Sequence, residues 1–266
     1  MDKLPLSLVI VTRQEDKNIV SNLSRCIRSV PFASDCLVLD SSDSEAQPGV
    51  ERAVDVARKL GARTLQEPWR GSAKQKTRAT ALARHDWILA LEPAEALSSE
   101  AQNEIYTLAK DGQLSADAYR LERRMHYLNR FLLHGGFGGD FQTRLFHRER
   151  AKWVESGDEA VLEASNVAKR KAPLLYWPYE GVAAQIETLN AQSTRTAQAL
   201  ANKNETYSRG KMIGEACAKF VRIYFINGAF KDGPEGFFAA LFAALSRLFV
   251  WSKVYELQLR RKSEPK

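Results

Sequence analysis

Residues 86–97 read DWILALEPAEAL, and this stretch decides the fold class. The apolar run 87–91 is typical of a strand that is buried on both faces of a parallel sheet. Pro93 cannot donate to a sheet ladder, so the strand is predicted to end before it. Glu92 and Glu95 then lie at the strand end, where two carboxylates could hold a cation or a sugar hydroxyl. Taken alone, the stretch fits better with carboxylates that are simply solvated where a strand ends.

Two apolar runs upstream favour a site over a solvated strand end. The run 6–11 stops at polar residues 12–15, and the run 36–39 stops at residues 40–44. Helical periodicity predicts helices between the apolar runs, near residues 17–30, 49–60 and 73–83. Alternating strands and helices predict an α/β fold with a doubly wound, mostly parallel open sheet. Strands that each end in polar residues would build a site at the carboxyl edge of that sheet.

Composition limits the classes of function. With 266 residues, 44% hydrophobic and 27% charged, the chain is globular and long enough for one domain, or for one domain with a tail. A net charge of +7 indicates an anionic partner, such as a nucleotide, a nucleic acid or an anionic membrane surface. No nucleic acid is expected, because the sequence has no paired Cys/His ligands and no aromatic RNA-binding motif. Its three cysteines and the absence of a signal-peptide pattern predict a reduced, cytoplasmic protein.

The ordered segments resemble a known family. Four of them follow, in order and spacing, the N-terminal half of the family 2 glycosyltransferases: 6–19, 36–45, 69–79 and 86–97. Two later segments, 134–153 and 157–164, resemble the branch that adds sugars to the lipopolysaccharide core. The resemblance covers nearly the whole chain. It implies the GT-A fold, a Rossmann-like open sheet flanked by helices, and a nucleotide-sugar donor.

The resemblance also implies an activity. It would be the inverting transfer of a hexose from a nucleotide sugar, with a UDP-sugar as the favoured donor, to a lipid-linked or lipopolysaccharide-core acceptor. The alternative is a glycosyltransferase-fold protein without catalysis, kept as a binding or scaffolding module, because several motif positions are altered.

The donor-binding residues are carried over by resemblance. Asp40 matches the aspartate that contacts the base of the donor, and Glu15 matches a glutamate beside the nucleotide. Gln75, Lys76 and Arg78 match a stretch near the donor, where positive side chains suit a diphosphate. The alternatives are a turn aspartate at Asp40, a helix-start glutamate at Glu15, and a basic solvated helix face at Lys76.

The metal motif departs from the family pattern. The family typically has Asp-x-Asp followed by an acidic residue, whereas this sequence has Glu92, Pro93, Ala94 and Glu95. Ala94 replaces the aspartate that is normally the direct ligand and has no ligand atom. Glu92, which also counts as a donor-binding residue, or Glu95 would have to hold Mg²⁺ or Mn²⁺ in its place, or metal binding is lost.

Glu159 is the candidate catalytic base, because it matches the glutamate of a His-Glu pair in the lipopolysaccharide branch. An inverting transfer needs one carboxylate to take the proton of the attacking hydroxyl. The alternative is an exposed loop carboxylate. His134, Asp140 and Arg144 match a motif assigned to the acceptor, although Arg144 could instead pair with Asp140 structurally.

The C-terminal region predicts membrane contact. We expect a GT-A domain over residues 1–205 and a helical, amphipathic, membrane-associating region over residues 206–266. The apolar run 236–251 is too short for a spanning helix of about 20 residues. The run ends at Trp251, and further aromatic and basic residues follow it: Lys253, Tyr255, Arg260, Arg261 and Lys262. This pattern is typical of a helix on the inner face of the cytoplasmic membrane, and the alternative is a core or dimer helix.

Overall fold

The computed structural model of the protein describes residues 1–13, 19–42, 52–156 and 159–263, and only the backbone of Glu159, Lys262 and Ser263. Its strands are β1 Leu4–Thr12, β2 Ala33–Asp40, β3 Arg63–Gln66, β4 Trp87–Leu91, β5 Glu95–Leu97, β6 Ala118–Tyr127, β7 Arg130–Phe131, β8 Asp140–His147, β9 Ala151–Ser156, β10 Glu159–Ala164 and β11 Val167–Tyr176. Its helices are α1 Ile19–Arg28, α2 Ala53–Lys59, α3 Ser72–Leu82, α4 Ser99–Lys110, α5 Val182–Asn202, α6 Arg209–Val221 and α7 Gly233–Ser263. Between α6 and α7 lie a π-helical segment, Arg222–Ile226, and a 3-10 turn, Ala229–Asp232.

The chain divides into two compact units. Unit 1 contains residues 1–124 and 140–177, and unit 2 contains residues 125–139 and 178–266. The boundary near residue 205 stays a prediction. In the structure α5 falls in unit 2, where it packs against α7.

A mixed sheet organises unit 1. Among the described residues its strand order is β3-β2-β1-β4-β8-β6-β11-β5. Strands β3, β2, β1 and β4 are parallel, whereas β8 runs antiparallel to both β4 and β6. Strands β9 and β10 form a separate antiparallel hairpin. The structure confirms the predicted α/β open sheet flanked by helices, and it adds an antiparallel extension.

Strand β1 is buried on both faces, which explains its continuous apolar sequence. Leu6, Leu8 and Ile10 pack into one hydrophobic core together with residues of α1, α2 and α4. Val9 faces the opposite side and packs into a second core with residues of α3 and of the β9–β10 hairpin. Helices therefore cover both faces of the parallel half of the sheet, and polar groups at its carboxyl edge are held on a rigid support.

Unit 2 is built around α7, which packs against α5 and α6. The buried face of α7 carries small residues in its first half, whereas several of its phenylalanines are exposed. At Gly236 a Cβ atom would lie 1.9 Å from the Ala229 carbonyl oxygen, so only glycine permits this close approach. Further along, Trp251 is buried and its Nε1 donates to Glu215 Oε2 at 3.0 Å.

Among the described residues, one helical stretch could by length and composition cross a membrane. It runs over Ala229–Arg261, and 33% of its most apolar part is buried inside the protein. Polar contacts also attach this helix to α5. The Lys253 ammonium donates to Asn190 Oδ1 at 2.7 Å and to Ser193 Oγ at 2.8 Å.

Candidate functional site

Asp40 ends strand β2 and is buried. Its Oδ1 accepts a hydrogen bond from the Ser42 backbone N–H at 3.3 Å, and its Oδ2 accepts one from Gln66 Nε2 at 3.3 Å. Gln75 Nε2 donates to the hydroxyl of the adjacent Ser41. Asp40 is thus a carboxylate in a fixed orientation at the carboxyl edge of the parallel strands, where open α/β sheets bind ligands.

Helix α3 brings the other predicted donor residues to this edge. It begins after Gly71, whose φ of 110° lies in the region that favours glycine. Gln75 is buried, Lys76 is half-buried and Arg78 is exposed. Arg78 Nε donates to Glu67 Oε1 at 2.9 Å. Such a surface pair contributes only about 0–1 kcal/mol, so a ligand phosphate could replace Glu67 at little cost.

The acidic turn 92–95 folds back on itself after β4. The Glu95 N–H donates to the Glu92 carbonyl oxygen at 2.9 Å, and the Glu92 N–H donates to Glu95 Oε2 at 3.0 Å. The Glu95 side chain is 0% exposed. Arg144 Nε donates to Oε2 and Arg144 Nη2 donates to Oε1, each at 2.8 Å, while Arg123 Nη1 lies 3.5 Å from Oε1. Donors of the protein therefore occupy both oxygens of Glu95.

Arg144 reaches the turn because β8 pairs antiparallel with β4, with Leu145 opposite Leu89. Its Nη2 also lies 3.3 Å from Glu92 Oε1. Burial alone lowers the pKa of the Arg144 guanidinium, but Glu95 and Glu92 raise it more strongly, and the net shift is upward. The cation is therefore permanently charged, and its bidentate pairing with Glu95 offsets the desolvation of both groups.

Glu92 is the more accessible carboxylate of the turn, with a side chain that is 40% exposed. Its Oε1 lies 3.4 Å from Lys76 Nζ, and that ammonium lies 5.0 Å from the Trp153 ring centroid. Removal from water raises the pKa of the Glu92 carboxyl, but Arg144, Lys76 and Arg123 lower it, and the net shift is well below the ordinary value. A small cavity borders these groups at the carboxyl ends of β1 and β4.

The divalent cation that the family resemblance implies does not fit these residues. Ala94 offers no side-chain ligand, and Glu95 has both oxygens bound to arginines. Glu92 lies beside two cations, Lys76 and Arg144. In the described parts of the chain, no three His, Cys, Asp or Glu side chains form a group that could hold a metal ion.

Asp140 has a different partner from the one considered in the sequence analysis. Strands β6 and β8 pair Arg123 opposite Asp140, and Arg123 Nη2 lies 2.7 Å from Asp140 Oδ2. Gln142 Nε2 donates to Asp140 Oδ1 at 2.7 Å. The Arg123 guanidinium also stacks over the Tyr176 ring at 4.4 Å. Asp140 is paired with Arg123 rather than with Arg144, because Arg123 lies opposite it in register.

The backbone of Glu159 begins strand β10, where it pairs with Ser156 of β9. The neighbouring pair joins Ala160 to Glu155. A Cβ atom on Gly71 would lie 2.9 Å from Glu155 Oε1, so the end of the hairpin lies against the start of α3. The backbone of the candidate base is thus on the side of the sheet that carries Gln75 and Lys76.

His134 belongs to unit 2, where it forms a dyad with an aspartate. Asp232 has a side chain that is 0% exposed, and it accepts hydrogen bonds from the Leu133 and His134 backbone N–H groups at 3.1 and 2.8 Å. His134 Nδ1 lies 2.9 Å from Asp232 Oδ1. A carboxylate only accepts, so Nδ1 carries the proton and Nε2 is the acceptor nitrogen of the neutral ring.

Some site residues were missed from sequence, and others lie outside the described residues. Glu15 lies in an undescribed segment, as does Asp158, and the side chain of Glu159 is likewise undescribed. Trp153 and Asp232 were not singled out, since an isolated tryptophan and an aspartate before Gly-Pro carry no sequence signal of a site. Arg123 lies on β6, and its pairing with Asp140 depends on the register of β8, which no local sequence pattern reveals.

Comparison with known proteins gives the class of relative. No protein-family profile matches the chain. The chain is 26% identical over 269 residues to an uncharacterized glycosyltransferase of Rickettsia conorii, a match that covers 97% of this chain and 92% of the relative. It is 24% identical over 258 residues to the lipopolysaccharide core biosynthesis glycosyltransferase LpsC of Rhizobium meliloti, covering 96% and 93%. The chain is a relative of glycosyltransferases. This confirms the resemblance predicted from the sequence and supports the assignment of a transferase.

Solved structures show weaker similarity. Residues 1–349 of Staphylococcus aureus TarS match with a TM-score of 0.44 and 11% identity, over 100% of this chain and 93% of that one. Glucosyl-3-phosphoglycerate synthase of Mycobacterium tuberculosis, solved with Mn²⁺, UDP and glucosyl-3-phosphoglycerate, matches with a TM-score of 0.33 and 16% identity, over 46% and 44%. The assignment of the chain as a relative of glycosyltransferases therefore rests on the sequence matches.

Proposed function

We propose that this protein is an inverting family 2 glycosyltransferase with a GT-A fold. It moves a hexose from a nucleotide sugar, with a UDP-sugar as the favoured donor, to a lipid-linked or lipopolysaccharide-core acceptor. The observation that carries the proposal is that Asp40, Gln75, Lys76 and Glu92 lie together at the carboxyl edge of the sheet. There Gln75 donates to Ser41, the neighbour of Asp40, and Lys76 pairs with Glu92. Near full-length similarity to LpsC of Rhizobium meliloti supports the acceptor class.

Each group at this edge has a role in donor binding. Asp40 is a fixed carboxylate that can accept a hydrogen bond from the imide N–H of a base. Lys76 and Arg78 are cations that suit the two phosphates. Glu92 is partly exposed and can accept a hydrogen bond from a hydroxyl of the donor. The buried pair of Glu95 and Arg144 holds the acidic turn 92–95 in place at this edge.

The acceptor side requires a base. Glu159 is the proposed carboxylate that takes the proton of the attacking hydroxyl as its oxygen bonds to the anomeric carbon and the nucleoside diphosphate leaves. Its position at the end of the β9–β10 hairpin, against the start of α3, supports this role. We assign His134 and Asp140 to the acceptor, and the dyad of His134 with Asp232 supports a ring whose Nε2 accepts a hydrogen bond from an acceptor hydroxyl.

We also propose that the protein lies on the inner face of the cytoplasmic membrane without crossing it. An aromatic patch of unit 2 supports this location; it consists of Phe225, Ile226, Phe230, Phe237 and Phe238, all of them exposed. Lys231 Nζ lies 5.9 Å from the Phe230 ring, and Arg222 is exposed in the same segment. Exposed aromatic residues beside cations suit an anionic bilayer surface. Helix α7 is packed against α5 and α6, which favours a surface location over a spanning one.

The test is a transfer assay with the full-length protein, a panel of UDP-hexoses and a lipopolysaccharide-core acceptor. Glu159→Gln should lower the transfer rate by about 10²- to 10⁴-fold, because it removes the base. Asp40→Ala should weaken donor binding by about tenfold or more, because a hydrogen bond to a charged group is lost.

Glu163→Gln is the matched control, since Glu163 is on the same strand as Glu159, is exposed and pairs only loosely with Lys152 at 3.7 Å. Its transfer rate should equal that of the wild type. Transfer that survives both Asp40→Ala and Glu159→Gln would contradict the proposed function. Donor binding with no transfer to any acceptor would favour the alternative of a non-catalytic binding protein. The observation that motivates this alternative is Ala94, which has no metal-ligand atom.

A further inference from the structure

The place of the altered metal motif is occupied by cations of the protein. Arg144 Nη2 and Lys76 Nζ lie 3.3 Å and 3.4 Å from the same oxygen of Glu92. Arg144 also donates to both carboxylate oxygens of Glu95, and Arg123 contacts one of them. Two of these cations are held by strand pairing, and the third is held on a helix whose face is packed against the β9–β10 hairpin. The positive charge at this position is therefore built into the fold.

The charges of this cluster already balance. Three carboxylates, those of Glu92, Glu95 and Asp140, are paired with three cations, those of Lys76, Arg123 and Arg144. A divalent cation on Glu92 would lie beside two like charges, with Ala94 offering no second ligand. A diphosphate brings negative charge instead, and at this cluster it would meet the Lys76 ammonium.

Lys76 is the cation of the three that can serve a ligand. Arg144 is 6% exposed and pairs with both oxygens of Glu95. Arg123 is 22% exposed, but its guanidinium pairs with Asp140 and Glu95 and lies over the Tyr176 ring. Lys76 is 18% exposed and contacts Glu92 at 3.4 Å and the face of Trp153. A lysine ammonium has three donors and can exchange Glu92 for a phosphate oxygen without moving its stem. A small cavity lies beside it, at the ends of β1 and β4.

We infer that this protein binds the diphosphate of its donor without a divalent cation, and that the Lys76 ammonium supplies the charge which a metal would otherwise supply. The inference rests on the proposed function, since it concerns how the same donor site is neutralised. In the reaction, the departing nucleoside diphosphate would gain negative charge at the phosphate nearest Lys76, where a preorganised cation stabilises it.

The first experiment is isothermal titration calorimetry of the full-length protein with UDP, GDP, CDP and ADP, in excess EDTA and in excess Mn²⁺. At least one nucleotide should bind with the same affinity in both buffers. Lys76→Met should weaken that binding by about tenfold to a hundredfold, as expected for the loss of a charged hydrogen bond. Lys76→Arg should restore most of the binding, which separates a charge effect from a folding defect.

Lys74→Met is the matched control, because Lys74 is exposed on the same helix and lies outside the cluster. It should bind as the wild type does. Binding that requires Mn²⁺ would overturn the inference and leave the proposed function intact. Binding that is unchanged in Lys76→Met would overturn it as well. A protein that binds none of the four nucleotides in either buffer would overturn both the inference and the proposed function.

A second measurement uses Mn²⁺ alone, followed by the electron paramagnetic resonance signal of the free ion. The signal should rise with added Mn²⁺ in the presence of protein as it does in buffer, because the acidic turn takes up no ion. Saturable uptake that disappears in Glu92→Gln would overturn the inference even if no nucleotide were yet known to bind.

Discussion

At the scale of single residues, the pair formed by Glu95 and Arg144 holds the acidic turn. Removal of one partner would leave a buried charge with no compensation. We therefore expect Arg144→Met to lower the free energy of unfolding by about 3–5 kcal/mol. Urea denaturation followed by circular dichroism measures this loss.

Lys152→Met is the control for that variant, because Lys152 and Glu163 form an exposed pair at 3.7 Å. Lys152→Met should lower the free energy of unfolding by about 0–1 kcal/mol. Adding Glu95→Gln to Arg144→Met should recover part of the stability, since the buried charge is then gone. Equal losses for Arg144→Met and Lys152→Met would show that the buried pair has no special weight.

Asp35 predicts part of the pH dependence of stability. Its side chain is 1% exposed and accepts hydrogen bonds from Arg63 Nε at 2.8 Å, the Arg84 backbone N–H at 2.9 Å and Ser7 Oγ at 2.8 Å. Burial raises the pKa of this carboxyl, but the Arg63, Arg84 and Ser7 donors lower it more, and the net shift is downward.

The unfolded state therefore binds the proton more readily. The stability that Asp35 contributes is fully present above the ordinary carboxyl pKa of about 3.9 and is lost as the pH falls through the lower folded value. Asp35→Asn should be less stable at neutral pH and should lose less stability between neutral pH and about pH 3 than the wild type does. Unfolding free energies at both pH values check this. The control Asp111→Asn changes an exposed residue at the end of α4 and should keep the wild-type pH dependence.

The sequence predicted which residues gather at the sheet edge better than it predicted their partners. Asp40, Gln75 and Lys76 lie at the carboxyl edge because each follows a buried strand or begins a helix there, and both signals are local. The partner of Glu95 is 49 positions away on a strand inserted antiparallel beside β4. No local pattern reveals that insertion, so the pairing of Arg144 with Glu95 had to come from the structure.

At the scale of elements, α7 is fixed by its second half. Trp251 is buried with Val254 and Ala197, and its ring nitrogen is bound to Glu215. We expect Trp251→Ala to lower the free energy of unfolding by about 3–5 kcal/mol, because it opens a large cavity and leaves the half-buried Glu215 carboxylate without its donor. Phe249→Ala, two positions earlier on the exposed side, should cost far less. Urea denaturation followed by helical circular dichroism compares them, and similar losses would contradict the packing of α7.

Elements with a clear apolar signal were predicted well. The predicted strand 87–91 coincides with β4. Strands β9, β10 and β11 were not predicted, because charged residues interrupt their apolar stretches: Lys152 and Glu155 in β9, Glu163 in β10, and residues 169–171 in β11. Their pairing partners stabilise them, and such non-local contacts override weak propensity.

At the scale of the whole molecule, the aromatic patch predicts membrane binding. Phe225 is 58% exposed and Ile226 is 74% exposed. Burial of one large apolar side chain contributes about 1.5–3 kcal/mol, so Phe225→Ser combined with Ile226→Ser should weaken binding to anionic liposomes by at least about tenfold. Flotation at low salt measures the bound fraction.

Val161→Ser is the control for flotation, since Val161 is an exposed apolar residue of unit 1. It should float as the wild type does. Substitutions are preferred to deletion of α7, because deletion would expose the residues that α7 buries. A wild-type protein that stays in solution with anionic liposomes, or a double variant that floats equally well, would return the patch to a core or dimer role.

The 49 positions that separate Glu95 from Arg144 also have a consequence for synthesis. A ribosome adds about 5–20 residues per second, so the acidic turn exists for about 2–10 s before its arginine is made. During this interval strands β1 to β4 have their apolar residues but lack the neighbour that β8 provides on the open side of β4. We expect protease to cut nascent chains stalled at residue 139 readily near the acidic turn. Chains stalled further on, so that all residues up to 177 have left the ribosome, should resist cleavage there. Equal resistance of both would show that the parallel strands close without β8.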